Sequence, residues 1–173
     1  MQQSNGQTFS AQLDGAAHVW LLRPETVSDP EMLENCIALL SADETARYHR
    51  YRFEEDRHLY LVAHAMLRRV LSNYADVDPF DWRFNSNPHG RPEIAAPNIP
   101  LALRFNLSHT RGLVACLVTL SDDCGVDVEK VTPRRHTRGI AEKMYAPAEQ
   151  AALQQLDGQE FLERFFTYWT LRE

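Results

Sequence analysis

Cysteine is scarce in this chain, with three residues among 173. The number is odd and the spacing fits neither a disulfide framework nor a metal cage. Cys36, Cys116 and Cys124 therefore read as reduced thiols of a cytoplasmic protein. The seven histidines show no zinc-type pairing with Cys or carboxylates. No apolar run is long enough to span a bilayer, and Met1–Phe9 is polar with no signal-peptide core. Positive charge is in deficit: 18 Lys and Arg face 24 Asp and Glu, a net charge of −6. That balance disfavours a broad binder of nucleic acid or of membrane surfaces, while leaving local basic patches open. There is no internal repeat, low-complexity tract or coiled-coil heptad. There is also no Gly-x-Ser-x-Gly elbow, and Ser108 and His109 are adjacent. A serine hydrolase built on Ser108, His109 and Asp127 is thereby disfavoured.

What is present is a foldable chain. Hydrophobic residues make up 44% and charged residues 24%, enough to bury a core in one domain or a little more. The stretch Met1–Asp14 is polar and expected to be a flexible N-terminus. His18–Leu22 is a short apolar strand candidate. Asp29-Pro30 opens a helix to Leu40, and Ser41 with Glu44 forms a capping box that opens the next. The strongest helical signal is the stripe Leu59, Val62, Ala63, Met66, Leu67, Val70 and Leu71, at three- and four-residue steps. Strands are expected near 82–85, 104–108, 113–120 and 125–129, with a turn-dense interval from Asn85 to Pro92. After Thr137 the pattern is helical again and ends on the stripe Phe161, Leu162, Phe165, Phe166 and Trp169. The expected fold class is α+β: a small antiparallel sheet packed on a long helix over Glu54–Tyr74.

One stretch carries chemistry on its face, Gly125-Val126-Asp127-Val128-Glu129. On an extended strand the two valines point one way and the two carboxylates the other. Like charges so placed repel unless a cation lies between them. Hard oxygen ligands suit Mg²⁺, with Mn²⁺ also possible, and Mg²⁺ is commonly held by one or two carboxylates plus phosphates. An edge strand with a solvated acidic face fits the same pattern.

Three further clusters surround it in sequence: Gly90-Arg91-Pro92, Phe105-Asn106-Leu107-Ser108-His109-Thr110 and Trp169-Thr170-Leu171-Arg172-Glu173. Together with the acidic stretch, their order and spacing resemble the 4′-phosphopantetheinyl transferases of the surfactin-synthetase-activating, two-lobed type. The resemblance implies transfer of the phosphopantetheine arm of coenzyme A to a serine of an acyl or peptidyl carrier protein. Adenosine 3′,5′-bisphosphate is the leaving product. It further implies Asp127, Glu129 and Glu173 as metal ligands and catalytic residues, with Glu173 also taking the serine proton. Ser108 and His109 would contact the 3′-phosphate and nearby groups of coenzyme A, provided the strand ends there. Arg91 replaces the family's Lys, and Arg47 matches a basic family position. A second basic family position corresponds to Glu44, and Arg50 is the candidate replacement. Arg134, Arg135 and Arg138 form a basic cluster that could dock an acidic carrier protein.

The resemblance also sets expectations for extent. Residues 15–132 correspond to a first lobe, and 133–173 to the opening helices of a second, incomplete one. A catalytically weak truncated form that only binds coenzyme A or a carrier protein is the alternative. With its partner strands missing, the face of Phe161, Phe165, Phe166 and Trp169 is expected to be exposed. Each large apolar side chain is worth about 1.5–3 kcal/mol on burial, so self-association through that face is expected.

Overall fold

The structure is a computed structural model that describes residues 9–88, 90–134 and 136–172. The chain divides into two compact units between Val126 and Asp127.

In the first unit, five strands and three helices follow in order: β1 (His18–Leu22), α1 (Pro30–Ala38), α2 (Ala42–Tyr48), α3 (Glu54–Leu71), β2 (Arg83–Ser86), β3 (Pro92–Ala96), β4 (Leu103–Thr110) and β5 (Leu113–Leu120). The helix starts were legible. The Asp29 carboxylate accepts the Met32 N–H, and Ser41 and Glu44 satisfy each other's backbone donors as a capping box. All seven residues of the α3 stripe are buried. Six of them pack on a three-stranded antiparallel sheet in the order β1-β5-β4, whose core face carries Trp20, Cys116, Val118, Leu103 and Phe105, while Val62 packs with Val27, Cys36 and Leu39. The fold is thus α+β, as expected.

Several details differ from expectation. Residues 9–12 form a 3₁₀ turn whose Phe9 N–H donates to the Asn73 carbonyl, and Leu13 is 1% exposed in the core. The flexible segment expected over Met1–Asp14 is therefore corrected over its second half, while Met1–Thr8 lie outside the described residues. The reason is local: Phe9 and Leu13 are the apolar residues of a polar stretch, and both find the α3 side of the sheet. The sheet is also split, because β2 pairs only with β3 in a separate two-stranded ribbon. β3 was hidden because Pro-Glu-Ile-Ala-Ala has no run of strand-forming residues. It forms because the turn before it is tied at both ends: the Asn87 N–H donates to the Arg91 carbonyl and the Arg91 N–H to Asn87 Oδ1.

The strand expected over Gly125–Glu129 does not form. Within it the Val126 N–H is taken by a side chain, and the residue just ahead of it is held in the same way. Asn106 Oδ1 accepts the Val126 N–H at 2.7 Å, and the Arg91 guanidinium donates to the Cys124 carbonyl at 2.7 Å and to the Phe105 carbonyl at 3.1 Å. Those bonds also draw residues 124–126 into the first unit, so the break falls ahead of the boundary expected after residue 132.

The second unit holds α4 (Thr137–Met144), α5 (Pro147–Gln154) and α6 (Gly158–Thr170). Its core is Ala141, Tyr145, Leu153, Phe161, Phe165 and Phe166, with Trp169 packed beside it. The expectation of an exposed aromatic face is overturned. Phe161, Phe165 and Phe166 are 6%, 2% and 2% exposed, covered by α4 and α5 and by two guanidinium groups. Arg134 lies 4.9 Å over Phe166, and Arg138 lies 4.3 Å over Phe161. Inside this core the Tyr145 hydroxyl donates to the Phe165 carbonyl at 2.8 Å.

Candidate active site

The first cluster of expected site residues gathers where α2, α3 and the end of β4 meet. Tyr60, His64 and Arg68 recur every four residues and line one face of α3. Glu44 on α2 sits against that face. Its Oε2 accepts from Arg68 at 2.6 Å and from the Ser41 N–H at 2.8 Å, and its Oε1 accepts from His64 Nδ1 at 2.9 Å. Burial alone would raise the Glu44 pKa. The hydrogen bonds from His64 and Ser41 and the Arg68 charge outweigh it and bring the pKa to about 2. Arg68 is 1% exposed, so this is a buried ion pair in which each partner depends on the other.

Arg47, one turn along α2, is exposed, with its guanidinium 5.5 Å from the Tyr60 ring centre. The Tyr60 ring in turn stands 4.1 Å from that of His64. Burial pushes the Tyr60 hydroxyl up to about 12, so it is neutral at any physiological pH. His109 arrives from β4. Partial burial, His64 and Arg47 all depress its pKa, in that order. Arg47 and His64 thus lie near enough to His109 to act on it electrostatically. Arg50 lies exposed in the turn after α2. The side chain that stands beside Glu44 is His64, with Tyr60 between it and Arg47. The four-residue spacing of Tyr60, His64 and Arg68 was the signal available.

Ser108 and His109 do not end a strand. β4 continues to Thr110, with Ser108 opposite Ala115, His109 opposite Val114 and Thr110 opposite Leu113. The hairpin then closes through Arg111-Gly112, where Gly112 supplies a φ of +96°. Adjacent strand residues face opposite sides. His109 shares the helix-facing side with Phe105 and Leu107, whereas Ser108 shares the other with Asn106. One ligand can meet both only by reaching around the hairpin end.

Arg91 was expected to bind phosphate. Here one terminal nitrogen of its fork bridges the carbonyls of Phe105 and Cys124, and so holds the loop ahead of the acidic stretch. Asn106 does the same from β4 through the Val126 N–H.

In the second unit, Asp127 and Glu129 are both half-buried, and Oδ2 of Asp127 is buried. Glu129 accepts from Arg134 at 2.7 Å. Asp127 and Glu129 are hard oxygen donors of the kind that suits a divalent cation such as Mg²⁺. The fit has a condition, because the Arg134–Glu129 pair must open for Glu129 to serve as a ligand. Among the described residues no group of three or more His, Cys, Asp and Glu is arranged to hold an ion. Glu173, expected as the third ligand, and Arg135 of the basic cluster lie outside the described residues. The rest of that cluster is committed locally: Arg134 to Glu129, and Arg138 to Asp157 at 2.5 Å.

Two family models match the chain. Residues 27–121 match the N-terminal 4′-phosphopantetheinyl transferase model, and 123–173 match the 4′-phosphopantetheinyl transferase superfamily model. The chain belongs to the 4′-phosphopantetheinyl transferase family. Arg47, Arg91, Ser108 and His109 lie in the first matched segment, and Asp127, Glu129 and Glu173 in the second. Among curated relatives, HetI, a 4′-phosphopantetheinyl transferase of a Nostoc species, is 31% identical over 93% of this chain and 67% of its own length. The Bacillus subtilis 4′-phosphopantetheinyl transferase Sfp is 29% identical over 81% of this chain and 60% of its own. A Synechocystis protein described as a 4′-phosphopantetheinyl transferase is 28% identical over 84% and 59%. The chain therefore spans about three-fifths to two-thirds of the length of these relatives. A solved holo-(acyl-carrier-protein) synthase from Bacillus anthracis, in complex with CoA (3′,5′-ADP), superposes with a TM-score of 0.48 at 12% identity. The overlap covers 60% of this chain and 93% of that one.

Proposed function

We propose that this chain transfers the 4′-phosphopantetheine arm of coenzyme A to a serine hydroxyl of an acyl or peptidyl carrier protein. The serine oxygen forms a bond to the phosphorus that bears the arm. The bond from that phosphorus to the bridging oxygen breaks, and adenosine 3′,5′-bisphosphate leaves. Arg47 and His109 bind the 3′-phosphate, and Ser108 and Arg91 bind or frame the neighbouring part of the nucleotide. Glu173 takes the proton from the serine hydroxyl, directly or through a water. Asp127, Glu129 and Glu173 hold Mg²⁺, or Mn²⁺ in its place. The bound ion lowers the cost of charge building on the diphosphate during transfer.

The observation that carries this reading is the corner formed by Arg47, His64 and His109. Groups from two helices and a strand bear on one another there, with Arg47 and His64 both acting on His109, and all three can donate to an anion. Cys116, whose thiol burial pushes up to about 12, and Cys36, pushed up likewise, are unreactive. That is consistent with a cytoplasmic protein of reduced thiols. Among the described residues no helix is long and apolar enough to cross a membrane.

The test is mass spectrometry of an apo carrier protein after incubation with the chain, coenzyme A and Mg²⁺. The expected result is a gain of the phosphopantetheine mass that disappears with EDTA. The alternative reading is that the chain binds coenzyme A without turning it over. Tight coenzyme A binding by calorimetry with no mass gain on any carrier would select it. Absence of both would remove the transferase reading.

A further inference from the structure

Glu44 occupies a place where the family resemblance implies a cation, and the structure shows what this chain does instead. The Glu44 carboxylate is filled by three donors: the Ser41 N–H, Arg68 and His64 Nδ1. An ionised carboxylate only accepts, so His64 Nδ1 carries its proton toward Glu44. That fixes the tautomer and leaves Nε2 as the nitrogen that can gain a proton and donate to something else. No hydrogen bond to Nε2 is found among the described residues, and the His64 side chain is 23% exposed. The ring plane is held by Tyr60, whose centre is 4.1 Å away and whose other neighbour is Arg47.

The charged and titratable groups around His64 can be named by element. From α2 come Glu44 and Arg47, from α3 Tyr60 and Arg68, and from β4 His109. Tyr60 is neutral, and the Arg68 charge is answered by Glu44. Glu44 is the one carboxylate among these groups and its oxygens are occupied. What remains is one guanidinium and two imidazoles, all able to donate to an anion.

We infer that His64, oriented by Glu44 and Arg68, is an anion-binding side chain of this corner, joining Arg47 and His109 on a phosphomonoester. Resting on the function proposed above, that group is the 3′-phosphate of coenzyme A. Glu44 is then a positioning residue, and the family's cation has moved from α2 to α3. A neutral His64 would turn a lone pair toward the phosphate.

The experiment compares coenzyme A with 3′-dephospho-coenzyme A by calorimetry at pH 7, on the full chain and on His64→Gln. Gln can still donate to Glu44, and circular dichroism checks that the variant folds. The expected result is a roughly tenfold to hundredfold loss of coenzyme A affinity, as for one charge-assisted hydrogen bond. Affinity for the dephospho compound should be nearly unchanged. Glu44→Gln, which releases the tautomer, should lose part of the same discrimination. If the wild-type chain separates the two compounds and His64→Gln separates them equally well, the inference is overturned while the transferase reading stands. If the wild-type chain binds neither compound, the functional reading itself falls and takes this inference with it.

Discussion

Replacing Glu44 by Gln tests the buried corner most directly. Gln keeps the shape and can still cap α2 at Ser41, since Gln serves in a capping box as Glu does. It removes the charge and turns one acceptor oxygen into an N–H₂ donor, which then faces His64. The folded pKa of about 2, against 4.5 for the ordinary carboxyl, corresponds to about 3 kcal/mol at 1.36 kcal/mol per pH unit. The side chain is 15% exposed, so partial solvent screening brings this to about 2 kcal/mol. Arg68 is 1% exposed and would be left as a buried guanidinium without its anion, which adds a further cost of the same order. The expected loss of unfolding free energy at pH 7 is therefore about 2–4 kcal/mol. The pH dependence has a definite sign. Because folding lowers the Glu44 pKa, its contribution is complete above the unfolded value near 4.5. It is lost as pH falls from there toward about 2. Urea unfolding followed by tryptophan fluorescence at pH 7, 5 and 4 should show the gap between wild type and Glu44→Gln closing only below pH 5. Adding Arg68→Met should restore stability relative to Glu44→Gln alone, because the orphaned charge is gone. A loss below about 0.5 kcal/mol at pH 7, or a gap that is constant from pH 7 to 4, would refute the account.

Three other outcomes follow from the same coordinates. Arg91→Ala should release the Phe105 and Cys124 carbonyls, costing about 1.5–3 kcal/mol and exposing residues 123–126 to rapid hydrogen exchange. Protection unchanged from wild type would show that the loop is held by something else. Arg134→Gln should strengthen Mn²⁺ binding several-fold, read by electron paramagnetic resonance of free Mn²⁺, because Glu129 no longer has to leave its ion pair. A weaker affinity would exclude Glu129 as a ligand. Tyr145→Phe should lower the stability of the helical unit by about 1–2 kcal/mol through the lost bond to the Phe165 carbonyl, read as a shift in thermal midpoint. An unchanged midpoint would mean that water replaces the hydroxyl.

The chain by itself determined its regular elements wherever a local rule acts alone. The α3 stripe has a period that only a helix can bury on one side. The caps at Asp29 and Ser41 are made by residues three positions apart, and the β4–β5 hairpin is set by a tight turn with glycine. The candidate site was legible for a related reason. Arg47, Arg91, Ser108, His109, Asp127 and Glu129 stand in short motifs whose order survives in one dimension. Tertiary structure decided the rest, because it depends on which distant group reaches a backbone or a charge first. Asn106 and Arg91 take the backbone of Cys124–Val126 and so abolish a strand that alternation alone predicts. Arg134 and Arg138 cover aromatic rings that looked unpartnered. Glu44, which in sequence is an anion in a cation's place, becomes the acceptor that orients His64, twenty residues along the chain. Composition and periodicity could not show that pairing, because it exists only once α2 lies against α3 and water is excluded from the ions between them.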